Sequence, residues 1–201
     1  MTLIALVRHG QTDWNLQRRI QGSTDIPLND TGRAQARETA ERLREVGITR
    51  VVSSPLSRAA ETADIVAATL GLPVPERIAE LVERGYGSAE GVEATEFAAR
   101  FADGVPDAEA EENVIARVRA ALHDLATRFP DDRIAAASHG GVIGRLLRAV
   151  DHGDMPTSEF RVVNGSIWLF EVTGDDIEFL DAMPSLRPDE AAAWKHAERI
   201  A

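Results

Sequence analysis

Two histidines stand in the same local setting: Arg8-His9-Gly10 lies near the start of the chain and His139-Gly140-Gly141 far along it. An imidazole serves as nucleophile and proton carrier near neutral pH. Glycine directly after it lets the backbone turn sharply and bring an N–H, such as that of Gly140, close to a bound anion. Arg8 and Arg58 supply permanent positive charge. Brought together, the two histidines and two arginines would form an anion site with a nucleophile inside it. Each alone has a plainer explanation, as a satisfied polar side chain at a strand end or an arginine paired with a carboxylate. As a set they are hard to explain by packing, because burying such charges without a ligand is costly.

Other chemistries have no foothold. The 201 residues contain no cysteine, which excludes disulfides, thiolate metal sites and cysteine nucleophiles and suits a reducing compartment. No Walker-type loop, metal-ligand cluster or Gly-x-Ser-x-Gly elbow occurs in the sequence. A net charge of −11 argues against nucleic acid as a partner, since backbone binding needs a basic surface. The same charge sharpens the question of the arginines: an acidic chain binds an anion only where positive groups gather against the overall field. The opening run, Met1-Thr2-Leu3-Ile4-Ala5-Leu6-Val7-Arg8, is too short for a signal-peptide core or a membrane span. The expectation is a cytoplasmic protein with no membrane partner; oligomeric state is left open.

The elements that must position these residues alternate between strand and helix. Leu3 to Val7 is a continuous apolar run, as in a strand buried on both faces of a parallel sheet. Ala36, Ala40, Leu43 and Val46 recur at helical spacing in a helix over 29–46, with Asn29, Asp30 or Thr31 as cap and Gly47 as its end. A strand at Arg50 to Ser53 and a helix from Ser57 to Leu70 follow, so Arg58 falls in a first helical turn just past a strand end. The stretch from Pro73 to about Asp107 is mixed. Val114, Val118, Leu122 and Leu125 mark a helix stopped by Pro130, Arg133 to Ser138 a strand, and Val142 to Val150 a helix. Two late strands, 166–172 and 177–182, flank Thr173-Gly174-Asp175-Asp176 as a hairpin. This order predicts an α/β fold: one domain, a three-layer α/β/α sandwich with a mostly parallel sheet, an antiparallel edge, a small cap insertion at about 88–112 and a tail beyond Pro184 with little apolar content except Trp194. Ligands of such sheets bind beyond the carboxyl ends of the strands, which is where both histidines fall.

The motifs resemble those of the histidine phosphatase superfamily, also called the phosphoglycerate mutase-like family. L-V-R-H-G-Q-T-D-W-N at 6–15 is similar to its signature. Gln21-Gly22, Asp25-Ile26-Pro27-Leu28 and Gly32 resemble the next segment, and S-S-P-L-S-R-A-A-E-T-A at 53–63 the one carrying a second arginine. L-V-E-R-G-Y-G at 81–87 resembles the acid-bearing segment, S-H-G-G-V-I at 138–143 the segment with the second histidine, and the spacing of Glu109 and Arg117 an element ahead of the long helix. The resemblance implies that His9 attacks phosphorus through one ring nitrogen while the other donates to a backbone carbonyl. Arg8, Arg58 and His139 would hold the phosphoryl oxygens, where charge spreads in a loose transition state. Glu83 would give a proton to the leaving oxygen and later take one from water, which requires it to be protonated near the working pH and implies an optimum on the acid side of neutral. Its plainer reading is a surface glutamate paired with Arg84. Asn15 and Gln21 match substrate-contacting positions, with loop capping as their alternative. No metal or cofactor is implied, since arginine supplies the positive charge. Asp13, Trp14, His123 and His152 have structural or surface readings only.

Within the family, mutases shield the phosphohistidine with a longer insertion carrying extra basic residues. Here Ala94 stands about where mutases have a lysine, and 95–112 offers Arg100 against Glu96, Asp103, Asp107, Glu109, Glu111 and Glu112. An acidic cap repels a polyanion, so a phosphomonoesterase acting on a small phosphate ester with one phosphate is favoured over a mutase, and both over a silent phospho-ligand binder. The segment Tyr86-Gly87-Ser88-Ala89-Glu90-Gly91 lacks the tryptophan that often precedes the last glycine in family phosphatases. Phe97 and Phe101, four apart, read as helix packing rather than as an apolar wall for the leaving-group pocket.

Overall fold

β1 (Thr2–Arg8) is buried along almost its whole length, as its unbroken apolar run requires. Ile4 and Leu6 point into one core and Ala5 and Val7 into another, the period-2 alternation of a central strand. In this computed structural model residues 1–151, 155–157 and 161–183 are described; His152 and the tail beyond Pro184 lie outside them. β2 (Arg50–Ser53) and β4 (Arg133–Ser138) run parallel to β1, β4 lying between the other two. β3 (Glu76–Arg77) extends β2, while β5 (Ile167–Thr173) and β6 (Asp176–Met183) add the antiparallel edge, giving the order β3-β2-β4-β1-β5-β6.

Helices cover both faces. α2 (Asp30–Val46) and α3 (Ser57–Leu70) bury Ala40, Leu43, Ala63, Val66 and Ala67 against one side. α5 (Glu111–Arg128) and α6 (Gly140–Val150) bury Val114, Val118, Leu122, Ile143 and Leu146 against the other. The three-layer α/β fold is therefore the observed one. Asn29 proves to be the cap of α2, its side chain accepting from the Gly32 N–H. α6 starts two residues before the expected Val142, because the glycines already follow the helical path and the Ile143 N–H reaches the His139 carbonyl. The mixed middle segment resolves into β3, two short 3-10 turns and α4 (Ala94–Arg100), and a short α1 (Asp13–Leu16) precedes α2. Among the described residues no helix is long and apolar enough to cross a membrane.

Candidate active site

Three neighbouring parallel strands end side by side. The His9 N–H bonds to the Ser138 carbonyl at 3.0 Å and the Ser54 N–H to the Ala137 carbonyl at 2.9 Å, so His9, Ser54 and His139 emerge together beyond β1, β2 and β4. Arg58 follows on the first turn of α3. The topology thus gathers Arg8, His9, Arg58 and His139 from distant parts of the chain around one cavity of about 290 Å³. Arg8, His9, Asn15, Gln21, Arg58, Glu83 and Gly140 line it; His139 does not, but is fully buried behind His9 with ring centroids 5.2 Å apart.

His9 Nδ1 lies 2.7 Å from the Gly10 carbonyl. A carbonyl only accepts, so Nδ1 carries the hydrogen, and Nε2 has no protein partner among the described residues. Burial first, then the Arg58 and Arg8 guanidinium charges, hold the imidazole well below the usual histidine range, so it is neutral. His139 is depressed for the same reasons, burial first, with Arg58, His9 and Arg8 adding to it. The Ser54 hydroxyl accepts from the Leu56 N–H and is hydrogen-bonded to His139 Nε2 at 2.8 Å. Nδ1 of His139 has no partner among the described residues.

Arg58 is fully buried yet has no carboxylate among the described residues within ion-pair distance; its Nη1 and Nη2 donate to the Thr24 and Gly22 carbonyls, each at 2.8 Å. Burial lowers its pKa, the nearest acids offsetting this in part. A buried guanidinium held by neutral carbonyls is prepared for an anion. Arg8 donates to the Val162 carbonyl at 2.5 Å and packs so close to α6 that a Cβ at Gly140 would lie 3.2 Å from it.

Glu83 is not paired with the Arg84 side chain. Its two oxygens accept the backbone N–H groups of Arg84 at 2.8 Å and Gly141 at 3.0 Å, placing the carboxyl at the N-terminal end of α6; a Cβ on Gly141 would come within 2.5 Å of it. Arg117 fixes the same segment from below through the Val82 and Glu83 carbonyls and a bidentate pair with Glu109. Asn15 and Gln21 close the loop, their side-chain oxygens accepting from Thr12, and both residues line the cavity.

Sequence reasoning missed two supports. Asn164 donates to the His9 carbonyl at 2.9 Å from a position without a distinctive neighbourhood. Glu90 accepts from the N–H and hydroxyl of both Ser23 and Thr24 and from the Tyr86 N–H. It therefore braces the loop whose carbonyls hold Arg58. Gly22, at φ 54°, lies so close to Glu90 that a Cβ there would collide with the carboxyl at 2.1 Å, and a glutamate set among turn glycines was the available signal. The reading of Phe97 needs correction: α4 buries no residue, and Phe97 lines the cavity. The acids of 95–112 lie off the cavity wall, to which this segment contributes only Phe97. Among the described residues no group of three or more His, Asp or Glu is gathered as for a metal.

A neutral histidine facing a cavity beside two buried guanidinium groups, at the carboxyl ends of a doubly covered sheet, is an arrangement that can hold an anion and offer it a nucleophile. Residues 4–182 match the histidine phosphatase superfamily (branch 1), and the chain belongs to that family. It is 40% identical to the uncharacterized phosphatase PhoE of Bacillus subtilis over 83% of this chain and 86% of that one. It is 35% identical to phosphoglycerate mutase-like protein 4 of Arabidopsis thaliana, over 86% and 84%. A mutant phosphoserine phosphatase of Entamoeba histolytica, solved with phosphoserine, superposes with a TM-score of 0.75 at 27% identity, over 92% of this chain and 98% of that one.

Proposed function

We propose that the protein is a phosphomonoesterase that passes through a phosphohistidine on His9 and needs no metal. The observation that carries this is the neutral His9 ring, its hydrogen fixed on Nδ1 by the Gly10 carbonyl and its Nε2 lone pair open to the cavity. Nε2 attacks phosphorus; the P–N bond forms as the P–O bond to the leaving alcohol breaks. Arg8 and Arg58 take the charge on the phosphoryl oxygens, and His139, its Nδ1 unpartnered among the described residues and its ring beside that of His9, is the further donor. Glu83, set at the N-terminus of α6, gives its proton to the leaving oxygen. In the second half a water attacks phosphorus, gives a proton to Glu83 and releases inorganic phosphate, freeing Nε2. Because His9 stays neutral well below pH 6.5, the nucleophile remains available on the acid side of neutral, where a protonated Glu83 is needed.

The substrate class is small phosphate esters. A mutase would run the same first step and pass the phosphoryl group to a second hydroxyl. The test is phosphate release from an aryl phosphate in the presence of chelator, wild type against His9→Ala. The expected result is metal-independent turnover reduced by at least about 10³-fold in the variant. Turnover that survives loss of His9 would overturn the mechanism, and a wild type that only transfers phosphoryl groups between hydroxyls would make it a mutase.

A further inference from the structure

The chemistry above uses the inner part of the cavity, yet its wall carries more positive charge than one phosphoryl group requires. Among the described residues six arginines line it (Arg8, Arg18, Arg19, Arg58, Arg145 and Arg148) against one carboxylate, Glu83, in a chain of net charge −11. Arg8 and Arg58 belong to the phosphoryl end, and Arg19 is tied to the Gly91 carbonyl and Glu93. Arg18, Arg145 and Arg148 remain.

Arg145 is 3% exposed. Its Nη1 reaches the Gly141 carbonyl at 3.1 Å and the Tyr86 hydroxyl at 3.4 Å. Nη2 lies 2.9 Å from Glu111, a half-exposed counterion, but out of hydrogen-bonding alignment, and Nε has no acceptor. A guanidinium this buried ordinarily satisfies its fork of donors. Arg148, three residues further along α6, shares a helix face with Arg145. It makes no side-chain hydrogen bond or ion pair with any described residue, and neither does Arg18. Arg18 is also the one non-glycine residue among the described ones with positive φ, at 55°, a backbone setting an L residue rarely adopts.

We infer that Arg145 and Arg148, with Arg18 from the loop after α1, form a second anion subsite, and that the substrate's leaving group carries a negative charge of its own, a carboxylate or a second phosphate. The inference rests on the phosphatase reading of the His9 pocket and adds the class of leaving group. It revises the expectation drawn from the cap's acids: the charge that meets the substrate comes from α6 and the α1 loop.

The test is binding to His9→Ala, which separates recognition from turnover. Two matched pairs are titrated: 3-phosphoglycerate against glycerol 3-phosphate, differing by a carboxylate, and fructose 1,6-bisphosphate against fructose 6-phosphate, differing by a phosphate. In at least one pair the more anionic member is expected to bind about tenfold more tightly, and that ratio to fall toward one when Arg148→Ala is added. Arg148 is exposed, so its removal does not threaten folding; Arg145→Gln serves as the second, buried variant. Equal affinity within both pairs, undetectable binding included, or a preference that survives both variants, overturns the subsite. The phosphatase reading fails by a different result, aryl phosphate turnover that persists without His9.

Discussion

At the inner end of the cavity, His9 and His139 leave the backbone at the carboxyl ends of strands and Arg58 at the start of a helix, and most of the functional side chains are held by main-chain groups. His9 is set by the Gly10 carbonyl, Arg58 by Gly22 and Thr24, and Glu83 by the Arg84 and Gly141 N–H groups. At the outer end, Arg18, Phe97, Arg145 and Arg148 reach in from loop and helix surfaces, with few such ties. Main-chain groups keep their places when side chains change, so the inner end fixes one reaction. The outer end is free to set which ester undergoes it.

The contrast breaks most visibly if Arg58 is removed. Arg58→Ala deletes a buried positive charge and strands two carbonyls, so kcat/KM is expected to fall by about 10²–10³, together with affinity for vanadate or inorganic phosphate. Steady-state kinetics and phosphate titration check this. Loss of activity with phosphate affinity intact would mean that Arg58 only supports the loop at Gly22.

Gly141→Ala probes the inner end through the backbone. Its new Cβ would meet the Glu83 carboxyl at 2.5 Å and push the acid off the α6 terminus. An alkyl phosphate, whose leaving oxygen needs a proton, should lose roughly 10–100-fold in kcat, and an aryl phosphate with an acidic leaving group clearly less. Equal losses for the two would remove Glu83 as the proton donor.

Much of this inner end was legible in the sequence. β2, α3 and β4 fall at the residues their apolar patterns indicate, and three parallel strands ending together suffice to gather Arg8, His9, Arg58 and His139. The outer end was not. α4 has no buried stripe to announce its packing, and β3 is two exposed residues held only by its neighbour. Arg145 lies between Ile143 and Leu146 on a helix buried around most of its girth, where helical spacing cannot tell a solvent-facing arginine from one turned into a cavity. Glu83 found its partners in the Arg84 and Gly141 backbone N–H groups rather than in the Arg84 side chain, because a helix terminus offers a directed donor that sequence proximity does not reveal.

Stability should register the buried histidines. Both are held well below the usual histidine range, burial being the largest cause for each. In the unfolded chain they titrate near pH 6.5. Below that pH the unfolded chain takes up protons that the folded chain refuses, so the stability is full above about 6.5 and is lost as pH falls toward the folded values. Each histidine contributes a slope of at most about 1.4 kcal/mol per pH unit in that window. Urea unfolding at pH 7.5 and 5.5 should show the loss, and His9→Gln should reduce it. A flat profile in the wild type would mean that a charged imidazole is tolerated there.

Phe97→Ala gives the smallest effect and separates the two ends most sharply. Its ring stacks on Phe101 with centroids 5.4 Å apart, on a helix that buries no residue, and it faces the cavity. If it serves as a wall for the leaving group, truncation costs roughly 1 kcal/mol of contact, a rise of about fivefold that falls mainly on KM for a phenyl phosphate. Unfolding free energy should stay within about 0.5 kcal/mol of wild type, as for a surface substitution. The reverse pattern, KM untouched and stability lowered by 2 kcal/mol or more on the order of a core truncation, would return Phe97 to helix packing and leave the arginines alone to select the leaving group.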